Sequence, residues 1–351
     1  MEFLSEYGLF LAKSITVIIT VAVIVGIVAS LGQKSKKHEK GHIEVVSLNE
    51  TVTTMSEALA TIVESADARK AVVKAKKKSD KAEQRSEKKA LKSGSVSVAK
   101  KRVFVLDFHG DLRASAVDSF REEITTVLTQ ASSEDEVVVR LESGGGMVPS
   151  YGLAASQLDR IKKRNIPLTV CIDKVAASGG YMMACVADRI LAAPFAVIGS
   201  IGVVAQIPNV HRLLKKHDVD IELMTAGKYK RTLTMVGENT EEGRKKFREE
   251  LEETHDLFKA FVGEHRPGLD IEDIATGEVW YGAPAIKKGL VDDTKTSDEY
   301  LTGQLDNADV YTVAYVQKKN LSEKFGFALE NSGDRFLLRW LRRLMGPAQV
   351  S

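Results

Sequence analysis

The longest apolar stretch of the chain runs from Tyr7 to Leu31 and is interrupted only by Lys13 and a few hydroxyl residues. A bilayer is crossed by about 20 apolar residues in helical form, so this stretch predicts a transmembrane helix. A cleavable leader would begin with positive charge, whereas Glu2 and Glu6 stand here, which favours an uncleaved anchor. From Val45 to Leu91 the chain has neither Pro nor Gly. With apolar positions at Val52, Met55, Leu59, Ile62 and Val63, it predicts helix.

The pattern changes after Ser93-Gly94-Ser95. Val103 to Leu106, Val137 to Leu141 and Leu168 to Ile172 read as buried strands, and Val117 to Leu128 and Leu153 to Ile161 read as the helices between them. The alternation continues through Arg189 to Ala192, Val210 to Lys216, a strand at Ile221 to Met224 and a charged helix from Thr240 to about Val262, and persists to about Val291. Strands alternating with helices predict a parallel sheet with crossover helices. Four regions follow: 1–33, the anchor and its flanks; 34–101, a basic helical linker; 102–300, the folded domain; and 301–351, an extension. Within the extension, Arg335 to Leu344 is basic and amphipathic, fit to dock on protein or on a membrane surface.

Charge changes the picture locally. The net charge is only +2, yet Arg69 to Arg102 holds fourteen Lys and Arg against Asp80, Glu83 and Glu87. This segment reads as a solvated linker or as a partner for anionic lipid head groups. Nucleic acid is disfavoured as a partner because no aromatic residues interleave with the charges. Lys34, Lys36, Lys37 and Lys40 directly after the apolar stretch place the remainder of the chain on the cytoplasmic side by the positive-inside rule. Cys171 and Cys185 lie in apolar surroundings without metal-ligand spacing and read as buried thiols.

Two small-residue stretches follow strands. Ser143-Gly144-Gly145-Gly146 can bring backbone N–H groups close to a ligand, or form a plain turn; no Lys-Ser/Thr pair completes a phosphate loop. Ala176-Ala177-Ser178-Gly179-Gly180 puts Ser178 at a strand-to-helix corner, as an exposed nucleophile or as a simple N-cap. A serine nucleophile needs a base, and none of the seven histidines has a surrounding motif that marks it. Lys230, in Ala226-Gly227-Lys228-Tyr229-Lys230, would serve if an apolar pocket lowered its pKa; the plain alternative is an exposed lysine.

With these stretches in view, the sequence from Val103 to Tyr300 resembles the signal peptide peptidase A family, peptidase family S49. Five collinear motifs carry the resemblance: Arg140 to Gly146, Ala177 to Tyr181, Ile198-Gly199-Ser200-Ile201-Gly202-Val203, Gly227 to Lys230, and Gly277 to Gly282 followed by Gly289-Leu290-Val291-Asp292. The resemblance implies an α/β fold of ClpP/crotonase type, stacked ββα units with a parallel sheet, preceded by the N-terminal transmembrane helix. It implies a membrane serine protease with Ser178 as nucleophile and Lys230 as general base. Ser200 would orient the lysine, unless it belongs to a structural turn, and the backbone N–H groups of Gly145 and Gly179 would form the oxyanion hole. Gly144 stands where the family often has Pro, and Arg231 where it often has an acid. With Lys228, Arg231 would disfavour a charged Lys230.

The resemblance further implies peptide or protein substrates, among them hydrophobic peptides or signal-peptide fragments, a homo-oligomeric ring, contact with membrane lipid, and no metal or organic cofactor. It points to the periplasmic face of a bacterial inner membrane, against the positive-inside argument. Two other readings are a catalytically inactive scaffold or peptide-binding module of the same fold, and acyl-CoA chemistry of the crotonase type.

Overall fold

The computed structural model describes residues 7, 8, 10–20, 41–63, 65 and 100–317. Its elements follow in order. β1 (His42–Ser47) and α1 (Leu48–Val63) come first. Then come β2 (Lys101–Gly110), α2 (Val117–Leu128), β3 (Glu136–Ser143), α3 (Val148–Lys162), β4 (Leu168–Ile172), β5 (Val175–Ala177) and α4 (Gly179–Ala184). β6 (Arg189–Ala192), β7 (Val197–Gly199), α5 (His211–Lys216), α6 (Glu241–His265), α7 (Ile271–Ile274) and β8 (Val279–Tyr281) come next. α8 (Gly282–Lys287), β9 (Asp293–Thr294), α9 (Ser297–Gln304) and β10 (Ala308–Val316) complete the unit.

The main sheet has the order β1-β10-β2-β3-β4-β6-β9, and every pairing from β10 to β9 is parallel. Its strands are apolar on both faces, as a sheet covered on both sides requires. Phe104, Leu106, Phe108, Val137, Val139 and Leu141 join a large core that includes Phe120, Ile124, Leu158 and Ile161 of α2 and α3. The intervening Val103, Val105 and Val138 pack with Cys171, Leu191, Tyr300 and Leu301. A short branch departs from the C-terminal end of β3: Ser143 pairs with Ala176 of β5, β5 runs parallel to β7, and β8 returns antiparallel to β7. The candidate nucleophile sits on this branch.

Two buried carboxylates close the N-terminal edge of β3. Glu136 accepts from Thr169 (2.7 Å), Tyr300 (2.6 Å) and Lys101 (2.6 Å), and Asp135 accepts from Arg102 and from the amide and hydroxyl of Ser132. Both cysteines are buried, and burial pushes the Cys171 thiol up to about 12.

Several sequence expectations change. Among the described residues, β1, α1 and β10 pack with the sheet of the 102–300 region. Residues 45–47 form strand rather than helix, because β1 finds a sheet neighbour in β10. Asn49 fixes the junction by donating to the carbonyls of Leu305 (3.0 Å) and Ala308 (3.1 Å) and accepting from the Val310 amide (2.8 Å). Ile221 to Met224 is not a strand: it has no sheet neighbour and its side chains are exposed. Residues 10–20 are helical. Among the described residues no helix is long and apolar enough to cross a membrane. The remainder of the expected span, the basic segment from 66 to 99 and the amphipathic tail lie outside the described residues.

Candidate active site

β5 ends at Ala177, α4 begins at Gly179, and Ser178 forms the corner between them with φ 51° and ψ −119°. A non-glycine residue in so sparsely populated a region costs about 1 to 3 kcal/mol and persists only where its surroundings enforce it. The enforcement is visible on both sides of the residue. The Ser178 amide donates to the Gly199 carbonyl at 2.8 Å, and the Ser178 carbonyl accepts from the Met182 amide at 3.0 Å. The side chain is half-buried and makes no capping hydrogen bond, so the simple N-cap reading finds no support.

The glycine run after β3 lies against this corner. Gly145 has φ 87°, and a Cβ on it would stand 2.7 Å from the Gly179 nitrogen, 2.8 Å from the Ala177 oxygen and 2.8 Å from the Ser178 Cβ. A Cβ on Gly179 would stand 2.5 Å from Cγ of Tyr151, whose ring is fully buried beneath the corner. The phenol of Tyr151 donates to the Asp111 carbonyl (2.7 Å) and lies 2.5 Å from the Ser143 hydroxyl, which in turn accepts from the Gly145 amide (3.1 Å). Burial pushes the Tyr151 phenol up, which keeps it a proton donor.

Ser200 is brought beside Ser178. β5 and β7 run parallel with Ala177 opposite Gly199, so the two serines occupy the next step of neighbouring strands. The Gly277 to Gly282 motif supports that step from behind. The Ser200 amide donates to the carbonyl of Glu278, just before β8, at 2.6 Å, and a Cβ on Gly199, at φ 102°, would meet the ring of Trp280 in β8 at 2.8 Å.

Lys230 is not buried. It lies exposed in a segment whose only helix between 201 and 240 is α5, and its amide donates to the Gly227 carbonyl at 3.1 Å. The apolar pocket that the sequence calls for is not formed around it: Lys230 is exposed, and so is Tyr229 beside it. Nor is Lys228 a free cation next to it: its ammonium pairs with Glu242 at 2.7 Å and lies over the Tyr229 ring. That pairing raises the Lys228 pKa. The fold thus gathers Ser178, Gly145, Gly179 and Ser200, while no hydrogen bond among the described residues joins Lys230 to either serine.

Two features of the corner escape a reading of the sequence. Tyr151 carries no motif signal, being one apolar position in a helix, and Ser143 reads only as the first residue of a glycine run. Their meeting depends on α3 folding back over the end of β3.

A strained serine on a strand-to-helix corner, with a glycine loop pressed against it, is a geometry compatible with a hydrolase site. Comparison with known proteins defines the class. Residues 2–158 match the profile of the peptidase family S49 N-terminal region, and residues 160–310 match that of peptidase family S49. The chain belongs to peptidase family S49. It is 51% identical over 341 residues to the probable protease SohB of Haemophilus influenzae, covering 97% of this chain and 96% of that protein. It is 48% identical over 340 residues to the probable protease SohB of Buchnera aphidicola subsp. Acyrthosiphon pisum, covering 97% and 98%. Among solved structures, a mutant of the 1510-N membrane-bound stomatin-specific protease, in complex with a substrate peptide, aligns at 16% identity with a TM-score of 0.40, covering 65% of this chain and 97% of that one.

Proposed function

We propose that this family S49 protein is a membrane-anchored serine endopeptidase in which Ser178 attacks the peptide carbonyl and Lys230 takes its proton. The observation that carries the proposal is the strained corner at Ser178, held between Gly199 and α4 and packed against Gly145. The surrounding main chain holds Ser178 at φ 51°, and strain of this kind collects at functional sites. On this reading Ser178 Oγ bonds to the carbonyl carbon, its proton passes to Lys230, and the same lysine returns it to the leaving amine. Ser200, one strand away, orients the lysine. The amides of Gly145 and Gly179 receive the oxyanion.

Lys230 reaches Ser178 on this reading only if the exposed 201–240 segment settles onto the branch strands, with substrate or within a homo-oligomeric ring. The apolar side chains displayed along it, among them Val204, Leu223 and Met224, fit extended hydrophobic peptides or a neighbouring subunit. The branch and main sheet are read as stacked ββα units of the ClpP/crotonase type. In the 10–20 helix, the Thr16 and Thr20 hydroxyls donate to carbonyls four residues back, which removes their need for water and suits a bilayer anchor. The peptidase unit is placed on the periplasmic face of a bacterial inner membrane, with the basic 69–102 segment near lipid head groups.

The exposed position of Lys230 favours one rival, a peptide-binding module of the same fold without turnover. A single experiment separates the two. The detergent-solubilised full chain is treated with a fluorophosphonate and analysed by mass spectrometry, alongside Ser178→Ala and Lys230→Ala. The dyad requires one adduct, on Ser178, that is lost in both variants. No adduct on the wild type, under conditions that label another family S49 peptidase, would favour the binding module.

A further inference from the structure

Residues 144–146 have no side chains with which to fix themselves. A Cβ on Gly144 would meet nothing within 4 Å. The loop is held by backbone donors alone: the Met147 amide on the Leu112 carbonyl (2.9 Å) and the Gly145 amide on the Ser143 hydroxyl (3.1 Å). Ser143 is 2% exposed, and its hydroxyl is oriented in turn by Tyr151, whose phenol is anchored on the Asp111 carbonyl. The Asp111 turn is itself tied, its carboxylate accepting from the amides of Arg113 (3.1 Å) and Ser115 (2.8 Å). Because Tyr151 gives its single O–H to Asp111, the Ser143 O–H is left to Tyr151 at 2.5 Å, with the Gly110 carbonyl a longer second acceptor at 3.4 Å, and the Gly145 N–H donates to Ser143. The ring of the same tyrosine lies directly under Gly179.

We infer that Tyr151, acting through Ser143, is the positioning residue that sets where the Gly145 amide stands relative to the Gly179 amide. The inference rests on the proposed role of those two amides as oxyanion donors. One side chain bears on both: its ring lies against Gly179, and its hydroxyl reaches Gly145 through Ser143. An N–H can be shared between two acceptors, so the Gly145 amide serves an incoming oxyanion while Ser143 holds its plane. Donors of this kind act by standing in place before charge develops, and a misplacement of about 1 Å can cost about 100-fold in rate. The fit leaves no slack on the far side either, because a Cβ on Gly110 would stand 2.5 Å from the Ser143 hydroxyl.

The test compares the wild-type full chain in detergent with Tyr151→Phe, Ser143→Ala and the double variant, using a rhodamine-linked fluorophosphonate. Tyr151→Phe keeps the ring beneath Gly179 and removes only the hydroxyl. Ser178 Oγ bonds to phosphorus as fluoride leaves, and negative charge gathers on the phosphoryl oxygen in that transition state, so the saturating rate reports the oxyanion donors and the half-saturating concentration reports binding. The expectation is a fall in the saturating rate of about 10-fold in each single variant, short of the roughly 100- to 1000-fold of a lost donor. Half-saturation should stay within about twofold, and the double variant should be no slower than the singles because both belong to one chain of bonds. A merely structural role would instead lower the final labelled fraction and the melting temperature and leave the rate of the labelled fraction unchanged. That result, or additive losses in the double variant, would overturn the inference while leaving Ser178 as nucleophile. Absence of labelling in the wild type would remove the proposed function and this inference with it.

Discussion

Ser178 and Ser200 leave adjacent parallel strands at the same level, and each does so at φ 51°. The two strained serines are linked through the main chain, the amide of the first donating to the residue before the second at 2.8 Å. If the strain at Ser178 is maintained for the sake of its hydroxyl, relieving it should stabilise the fold. Ser178→Gly is expected to be inactive and about 1 kcal/mol more stable than the equally inactive Ser178→Ala, since glycine tolerates the conformation. Thermal unfolding of the two variants in one detergent measures it, and equal melting temperatures would show that no strain is stored.

Ser200→Ala tests the neighbouring serine. Loss of a group that orients a general base should slow acylation of Ser178 by about 10-fold, a part of the 100- to 10,000-fold that such a base contributes. The expected signature is a slowed fluorophosphonate rate with the melting temperature held, because the Ser200 backbone bond to Glu278 survives the change. A destabilised protein with an unaltered rate would mark Ser200 as a turn residue.

Gly144 and Gly145 are neighbours with opposite tolerances. Gly145→Ala forces a Cβ into the Ser178 corner at a positive φ and is expected to reduce labelling of Ser178 by at least about 100-fold. Gly144→Ala meets nothing and should stay within about 0.5 kcal/mol of the wild type in stability. Activity and melting temperature of the pair, measured side by side, check both statements.

Asp135 gives the fold an acid-sensitive fastening. Burial alone would raise its pKa, but hydrogen bonds from Arg102 and Ser132 prevail and hold it at about 2. A carboxylate depressed in the folded state stabilises at pH above its unfolded value, about 3.9, and that contribution is lost as pH falls through the folded value. Asp135→Asn should therefore cost about 2 kcal/mol near neutral pH and progressively less below about pH 4. Urea unfolding of wild type and variant across that range measures the gap; a gap independent of pH would refute the assignment.

Asn49→Ala removes the three hydrogen bonds that join α1 to Leu305, just after α9, and to β10. With partly buried groups left unpaired, the loss should be about 2 to 4 kcal/mol. Hydrogen exchange should show β10 amides losing protection ahead of those of β3. Unchanged protection in β10 would mean that the N-terminal strand and helix contribute nothing to the unit.

The sequence was most informative where local pattern and burial agree. Val117 to Leu128 and Leu168 to Ile172 coincide with α2 and β4, since an amphipathic stripe and a short apolar run are legible without knowledge of neighbours. The corner around Ser178 was legible as a row of small residues, because close backbone approach demands them wherever the partner lies in the chain. What remained hidden depends on distant segments. β1 becomes strand only beside β10, some 260 residues away, and Tyr151 acquires meaning only against Gly179 and Ser143. Ile221 to Met224 shows the reverse case, a strand-like string of residues without an edge to pair with.

Apart from Gly144, the glycines at the corner have no room for a Cβ: Gly145 against Ser178 and Gly179, Gly146 against Leu112, Gly179 against Tyr151, Gly180 against Ser143. A region assembled in this way offers no side chain that can be exchanged to suit a new substrate. Adaptation, by nature or by an engineer, is left to the surrounding rim, where Leu112, Met147 and Val148 stand exposed beside the same loop. The corner can be inherited or broken, and the rim is where one member of a lineage can come to differ from another.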